Sequence, residues 1–437
     1  RGRSYVSCPR NPRSQEVTGE VSAGDASAKK VVIVGAGPAG IAAADALRAA
    51  DHTGEILIFG EERHAPYDRP PLSKQILAGT WLPEKAQLRT SEQLAAADVT
   101  LHLSVRVASV DVEAHQVTLE SGEQVAYDAL IIATGVTVRV LPFGHQLEGV
   151  HVMRTLDDAL ALRSHMETSQ HLAVIGAGFL GAEVAAVARS LGREVTLIDP
   201  LELPMQNVVG DEVGSMIADL HRHHGVNLEL GHGVASIEDN LGRATGVTLD
   251  DGRTVPADAA LVAVGARPAV DWLHSSSVPL TAPKEPGAGG IRCDSSGRAA
   301  DDVWAIGDVA AWWDPTLERH VRVEHRMTAN EHARSCAHDI LELAPTAAKS
   351  VPYFWSDQYD LKLRSFGLPS RQCSFHVVEG DLADRRFVAA YTDESDRIVG
   401  TIGAGMFKAM NWWRQQILDG QTLGEALRLK QSAENSA

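Results

Sequence analysis

The feature that most restricts the fold is a ten-residue pattern that recurs. Its first copy is Val31-Val32-Ile33-Val34-Gly35-Ala36-Gly37-Pro38-Ala39-Gly40. Four β-branched apolar residues predict a buried parallel strand. The alanine-rich residues 41–47 predict a helix behind it. Between the two, Gly35 permits a tight turn, Gly37 lets a pyrophosphate approach the backbone, and Gly40 lets helix and strand pack closely. The free N–H groups and positive dipole end of such a helix suit phosphates. A second strand over residues 55–59 is followed by Glu61 and Glu62, where an acid for a ribose hydroxyl is expected. The second copy is Leu172-Ala173-Val174-Ile175-Gly176-Ala177-Gly178-Phe179-Leu180-Gly181, and its next strand, residues 194–198, runs into Asp199. One G-x-G-x-x-G is a weak signal. Two copies, each with strand, helix, strand and acid in order, predict a chain that binds two dinucleotides.

The bulk numbers narrow the class. A length of 437 residues predicts two to three domains, and 44% hydrophobic with 22% charged residues is ordinary for a globular protein. The balance of 40 basic and 57 acidic residues, net −17, argues against a general nucleic-acid binder. No apolar run reaches the ~18 residues that span a membrane. Cys8, Cys293, Cys336 and Cys373 are far apart, which fits free thiols in a reducing cytoplasm and excludes a zinc or cluster motif of local spacing. No metal site is expected.

Along the chain, residues 1–29 are polar and lack a signal-peptide core; a disordered tail is expected, and Arg1 at the start is consistent with processing. Tyr67-Asp68-Arg69-Pro70-Pro71-Leu72-Ser73-Lys74 reads as a rigid extended loop, because consecutive prolines oppose a helix. Residues 129–135 read as a buried strand ending in Ala133-Thr134-Gly135, and residues 260–268 repeat that ending around Gly265. Residues 154–166 and 210–224 read as helices. His221, His223 and His224 fall in the last turn of the second, before Gly225, where partial positive charge suits the dipole better than a metal reading does. Asp308 ends a strand, with a small-residue helix expected after it. From about residue 345 the pattern becomes that of a small α+β domain, with a surface helix over residues 420–429.

Taken together, GAGPAG (35–40), RPPLSK (69–74), ATG (133–135), GAGFLGAE (176–183), VGARP (264–268), AIGDVA (305–310) and PYFWSDQ (352–358) resemble the flavoprotein reductases that bind two dinucleotides. Within them, RPPLSK and FWSDQ resemble the oxygenase-coupled ferredoxin reductases of the putidaredoxin reductase type. The resemblance spans about 30 to about 410 and implies an α/β fold of two Rossmann-like domains plus a C-terminal α+β interface domain. The implied boundaries are 30–145 with 268–344 for the FAD-binding domain, 146–267 for the NAD-binding domain and 345–437 for the last. It implies FAD at Gly35, Gly37, Ala39, Gly40, Glu61, Arg69, Lys74, Ala133, Thr134, Gly135, Asp308 and Trp355, with Glu62 as the neighbour that sequence cannot separate from Glu61. It implies NAD(P)H at Gly176, Gly178, Leu180, Gly181, Glu183, Asp199 and Gly265.

Lys74 and Glu183 are the residues implied at the reacting centre. Seven places past the first glycine, the first copy has Ala42 and the second has Glu183, so dinucleotide binding alone does not require this carboxylate. A buried lysine would need such a partner. Asp199, followed by no basic residue, predicts NADH over NADPH. The C-x-x-x-x-C of disulfide-reducing relatives is absent, so electrons are expected to leave for a one-electron carrier, a 2Fe–2S ferredoxin that feeds a haem monooxygenase or a dioxygenase, with Trp355 helping to form the exit face. The protein is expected to be a monomer or homodimer. Arg326 stands where relatives often carry tryptophan. Arg69, Arg322, Arg326, Lys362 and Arg364 are candidates for a basic docking patch. Two other readings are an NADH oxidase or rubredoxin reductase, and an interaction protein resembling the apoptosis-inducing flavoproteins.

Overall fold

In the computed structural model, residues 26–285, 287–315, 317–345 and 351–434 are described. The expected tail, 1–29, lies outside these up to residue 25. Its end is ordered, since Ala26–Ala28 forms a 3₁₀ turn and the Ser27 carbonyl accepts the Thr53 N–H at 2.8 Å.

Val31–Val34 is buried on both faces and pairs in parallel with Ile56–Phe59 on one side and Ala129–Ile132 on the other. Among the described residues this sheet has six strands, in the order Arg298–Ala300, Val303–Ala305, Ala129–Ile132, Val31–Val34, Ile56–Phe59, Val99–His102. Chain from beyond residue 290 therefore returns to complete the first nucleotide-type sheet. The second sheet is parallel throughout, in the order Asn227–Leu230, Glu194–Asp199, His171–Ile175, Ala259–Val262, Val150–His151. The chain passes between the two units where Val136–Val138 pairs antiparallel with Ala266–Pro268.

The third unit is an antiparallel sheet, Tyr353–Gln358, Leu361–Gly367, Ile398–Ala404, Arg386–Thr392 and Ser374–Asp381 in spatial order. One face packs on helices Phe407–Leu418 and Leu423–Glu434 around the fully buried Trp413. The other face packs Leu363, Phe387, Tyr391 and Ile402 on Val209, Val213 and Ile217 of the helix Gln206–His223. That contact fixes the third unit against the second.

Three local expectations change. The double proline does not hold an extended loop: Pro71 caps a wide helical turn, Leu72–Ile76, whose Ile76 N–H reaches the Pro71 carbonyl at 2.9 Å. Proline is tolerated at a helix start because its missing N–H would have no partner there. After Asp308 there is no small-residue helix. A 3₁₀ turn, Gly307–Val309, leads into strand Ala310–Asp314, because pairing with Ile291–Cys293 and Arg319–Val321 overrides alanine's propensity. The helix expected to start at Gly210 starts at Gln206 and is kinked at Gly210, which has φ +76°.

Candidate active site

The two glycine turns have almost the same geometry. Gly37 precedes helix Pro38–Ala49 with φ −78° and ψ −172°, and Gly178 precedes Phe179–Ser190 with φ −73° and ψ −170°. A Cβ on Gly35 would stand 2.3 Å from the Ala133 carbonyl oxygen, and one on Gly176 would stand 2.4 Å from that of Ala263. On Gly40 or Gly181 it would fall 1.9 Å from the carbonyl oxygen of Gly35 or Gly176. On Gly37 or Gly178 it would meet nothing within 4 Å. The middle glycine of each turn thus faces open space beside exposed helix N–H groups, which is the cradle a pyrophosphate needs.

One continuous cleft of about 1350 Å³ runs past both turns. Gly35, Gly37, Ala39, Glu61, Arg69, Lys74, Ala133, Thr134, Gly135, Asp308 and Trp355 line it from the first and third units, and Gly176, Gly178, Leu180, Glu183, Asp199 and Gly265 from the second. Gly40 and Gly181, expected among the cofactor contacts, are not in its wall. They let each helix touch its own turn. Ala39 is small because Gly307 packs on it: a Cβ at Gly307 would be 2.9 Å from Ala39 Cβ.

At the junction of the units, Lys74 Nζ lies 2.5 Å from Glu183 Oε2, with side chains 12% and 6% exposed. Ser73 Oγ donates to the same oxygen at 2.7 Å, and Ser356 Oγ donates to Oε1 at 2.9 Å. The helical turn at Pro71 brings Lys74 here, and the inner face of helix Phe179–Ser190 brings Glu183. Neither charge would be tolerated alone at this depth. Trp355 stands on the cleft wall, its ring 5.8 Å from that of Tyr353.

Glu61 and Glu62 are separated by their partners. Glu62 accepts from Arg69 Nη2 at 2.8 Å and from the Tyr67 hydroxyl, so it is committed to the loop. Glu61 is 71% exposed at the cleft, with Arg106 as a distant partner at 3.9 Å. Arg69 also donates to the Arg154 carbonyl at 2.5 Å. Asp308 Oδ2 is 3.9 Å from Arg154 Nη2. Burial raises the Asp308 carboxyl and, with Arg69 nearby, brings the Arg154 guanidinium down to about 10. His325 lines the cleft, and its Nδ1 is buried with no hydrogen-bond partner. The open turns, the orphaned His325 nitrogen and the exposed Glu61 fit an extended dinucleotide carrying a polar ring system.

Asp199 is not idle. Its Oδ2 accepts the Ala177 N–H at 2.6 Å, and Oδ1 accepts the Leu201 N–H at 2.8 Å. Among the described residues, Arg154, which faces Asp308, is the one lysine or arginine of residues 146–267 that lines the cleft. His232 lines it too, within 3.4 Å of Asp250. A 2′-phosphate beside Asp199 would meet that carboxylate.

The expected basic patch does not form a free surface. Arg69, Arg322 and Arg326 pair with Glu62, Glu324 and Asp68, and Lys362 and Arg364 share Asp357. Arg322 and Arg364 are only 12% and 15% exposed. Cations this buried need a carboxylate to offset desolvation. Arg326, in the unusual position, ties helix Arg326–Ile340 to the Asp68 loop at 2.7 Å.

Sequence reasoning missed Ser73, Ser356, Gln358, Arg154 and His325. Alternation along Tyr353–Gln358 sets Ser356 and Gln358 on the face opposite Trp355 and was a usable signal; Arg154 had none. The dipole reading of the histidines fails for His221, which is fully buried, held at about 4 by burial, and within 3.0 Å of Gln358 Oε1. Among the described residues no cluster could hold a metal. No described cysteine lines the cleft.

Comparison with known proteins places these features in context. Residues 29–349 match the family described as pyridine nucleotide-disulphide oxidoreductase, and residues 353–433 match the reductase C-terminal family. Rhodocoxin reductase of Rhodococcus erythropolis is 37% identical over 80% of this chain and 81% of its own. The ferredoxin–NAD⁺ reductase component of the anthranilate 1,2-dioxygenase system of Burkholderia cepacia is 35% identical over 90% of this chain and 95% of its own. The fold superposes on the crystal structure of the covalent putidaredoxin reductase–putidaredoxin complex with a TM-score of 0.85, at 31% identity over 90% of this chain and 94% of that one.

Proposed function

The chain belongs to the pyridine nucleotide-disulphide oxidoreductase family, and from that premise we propose that it reduces a 2Fe–2S ferredoxin of an oxygenase system with electrons from NADH. FAD, when bound, accepts hydride and releases electrons one at a time; the protein supplies placement and electrostatics. The observation that carries this reading is the single cleft: it joins both glycine turns, seats the Lys74–Glu183 pair where the units meet, and has no described thiol in its wall. The names of the similar reductases support the same acceptor class.

The FAD-binding unit is residues 30–145 and 268–344, around an NAD-binding unit at 146–267 and ahead of a C-terminal unit at 345–437; the strand pairings above support this division. In the first unit, Gly35 and Gly37 admit the pyrophosphate, Glu61 takes the adenosine ribose, Asp308 takes the ribityl hydroxyls, and Ala133–Gly135 leaves room beside them. In the second, Gly176, Gly178 and Leu180 cradle the nicotinamide dinucleotide, with Gly265 across the cleft. Lys74 and Glu183 orient the two rings, and Trp355 shapes the exit face. Widely spaced cysteines suit a reducing cytoplasm, and the protein acts there as a monomer or homodimer.

The test is NADH-driven cytochrome c reduction by the FAD-loaded protein, with and without an added 2Fe–2S ferredoxin. A large, saturable dependence on ferredoxin is expected. NADH consumption indifferent to ferredoxin would refute the acceptor and point to oxygen, rubredoxin or a quinone.

A further inference from the structure

Behind Glu183 a line of buried polar groups runs away from the cleft. Ser356 Oγ contacts Glu183 Oε1 at 2.9 Å. Gln358 Nε2 contacts Ser356 Oγ at 3.1 Å. His221 Nε2 lies 3.0 Å from Gln358 Oε1, and the Tyr359 hydroxyl lies 3.3 Å from His221 Nδ1. Ser356, Gln358 and His221 are fully buried. A buried polar group without a partner is costly, so the complete satisfaction of this line is itself informative.

The donors can be assigned in one consistent way. An ionised Glu183 only accepts, so Ser356 O–H must donate to it. Ser356 Oγ then accepts from the Gln358 amide N–H, which leaves Gln358 Oε1 facing His221. That oxygen requires a proton on His221 Nε2, and the neutral ring therefore accepts at Nδ1 from Tyr359 O–H. Every donor points toward Glu183. Hydrogen bonds aligned in this sense polarise one another.

The outer end is held with some effort. Tyr359 has φ +53°, the left-handed region that a bulky residue rarely occupies, at the turn after Gln358. This backbone places its ring against His224 at 3.7 Å between centroids, nearly parallel at 6°. The line also crosses the molecule's units: Glu183 and His221 lie on helices of the second, and Ser356, Gln358 and Tyr359 on one hairpin of the third. Lys74 and Ser73 meet the other carboxylate oxygen from the first.

We propose that Tyr359, His221, Gln358 and Ser356 form a one-way hydrogen-bond relay that positions the Glu183 carboxylate against Lys74 and the cleft. The four are positioning residues: they touch neither dinucleotide and act through Glu183. The inference rests on the role given to Glu183 under the proposed function.

The experiment compares FAD-loaded wild type with Ser356→Ala, His221→Asn, His221→Gln, Glu183→Gln and the double variant Glu183→Gln/Ser356→Ala. Glutamine places an amide N–H where the imidazole has Nε2; asparagine cannot reach it. Stopped-flow reduction of the bound flavin by NADH is expected to slow roughly 5- to 20-fold in Ser356→Ala and His221→Asn. The NADH dissociation constant should stay within about twofold, and His221→Gln should recover most of the rate. Ser356→Ala should add nothing in the Glu183→Gln background, because the relay acts through that carboxylate. Additive effects, or His221→Gln behaving like His221→Asn, would overturn the relay. If Glu183→Gln is slow but the relay variants reduce like wild type, the relay alone fails. If Glu183→Gln is as fast as wild type, the role of Glu183 fails and the relay with it. Independently of turnover, ¹⁵N-histidine NMR of the holoprotein at pH 7 should show His221 neutral and protonated at Nε2. An Nδ1–H ring or an imidazolium refutes the assignment.

Discussion

At Asp199 both carboxylate oxygens already accept backbone N–H groups, one from the glycine turn and one from Leu201. A carboxylate has room for about four hydrogen bonds, so a ribose diol can still be accepted. The side chain therefore shapes the turn and, on the proposed reading, keeps acceptor capacity for the ribose. Asp199→Asn keeps an acceptor but removes the charge. It should lower kcat/KM for NADH roughly tenfold while leaving NADPH unchanged or improved, because repulsion of a 2′-phosphate is relieved. Steady-state kinetics with both nucleotides check this, and a wild type that uses NADPH as well as NADH would defeat it. The arginines show the same point in reverse. Arg322 and Arg326 looked available for docking because a sequence shows charge but not its partner; in the fold each is occupied by a carboxylate.

Among the elements, the two strand–turn–helix units separate the uses of glycine. Gly40→Ala would force a methyl group to 1.9 Å from the Gly35 carbonyl, so the helix would have to lift off its turn. Gly37→Ala meets open space and an extended backbone that alanine adopts freely. Gly40→Ala should thus lose folded yield. Gly37→Ala should fold but retain little FAD, judged by circular dichroism and the flavin absorbance of the purified protein. Gly178→Ala, its counterpart, should stay yellow and raise the NADH KM about tenfold or more, the methyl standing where the second pyrophosphate must approach. A colourless Gly178→Ala, or a fully yellow Gly37→Ala, would contradict the division of the cleft. The turn at Pro71 belongs to this scale too. It takes a proline pair that reads as a helix breaker and uses it to start the turn that delivers Ser73 and Lys74.

Across the whole molecule, buried histidines set an acid limit. Burial brings His151, His221 and His325 down to about 4 and His332 to about 3. In the unfolded chain each would titrate near 6.5. Between those values the unfolded state binds more protons, so stability is complete above about pH 6.5 and is lost as pH falls toward 4. Calorimetry at constant ionic strength should show the thermal midpoint dropping by roughly 5 °C or more from pH 7 to pH 5. A flat profile would mean that these rings are not held neutral. The loss should be cooperative across units, because His221 sits where the second meets the third and His325 where the first does.

Local spacing was enough to specify the two strand–turn–helix units, since strand burial, turn tightness and helix start are decided within about ten residues. It placed Ala42 and Glu183 at equivalent positions and marked only the second as chemically unusual. The third unit's α+β character was legible from the change of pattern near residue 345. The folded structure alone decided which groups meet: that Glu62 is taken by Arg69 while Glu61 stays exposed with Arg106 at 3.9 Å, that the strand after Asp308 overrides alanine's helical preference, and that the docking arginines each pair with a carboxylate. It also decided that His221, which reads as a helix-end cation, is a neutral link behind Glu183. The physical reason is common to these cases. A side chain's charge state and availability depend on which partner and how little water surround it, and the folded backbone sets both, between distant segments where Gln358 meets His221 and Asp68 meets Arg326 and within a few residues where Arg69 reaches Glu62 and Arg322 reaches Glu324.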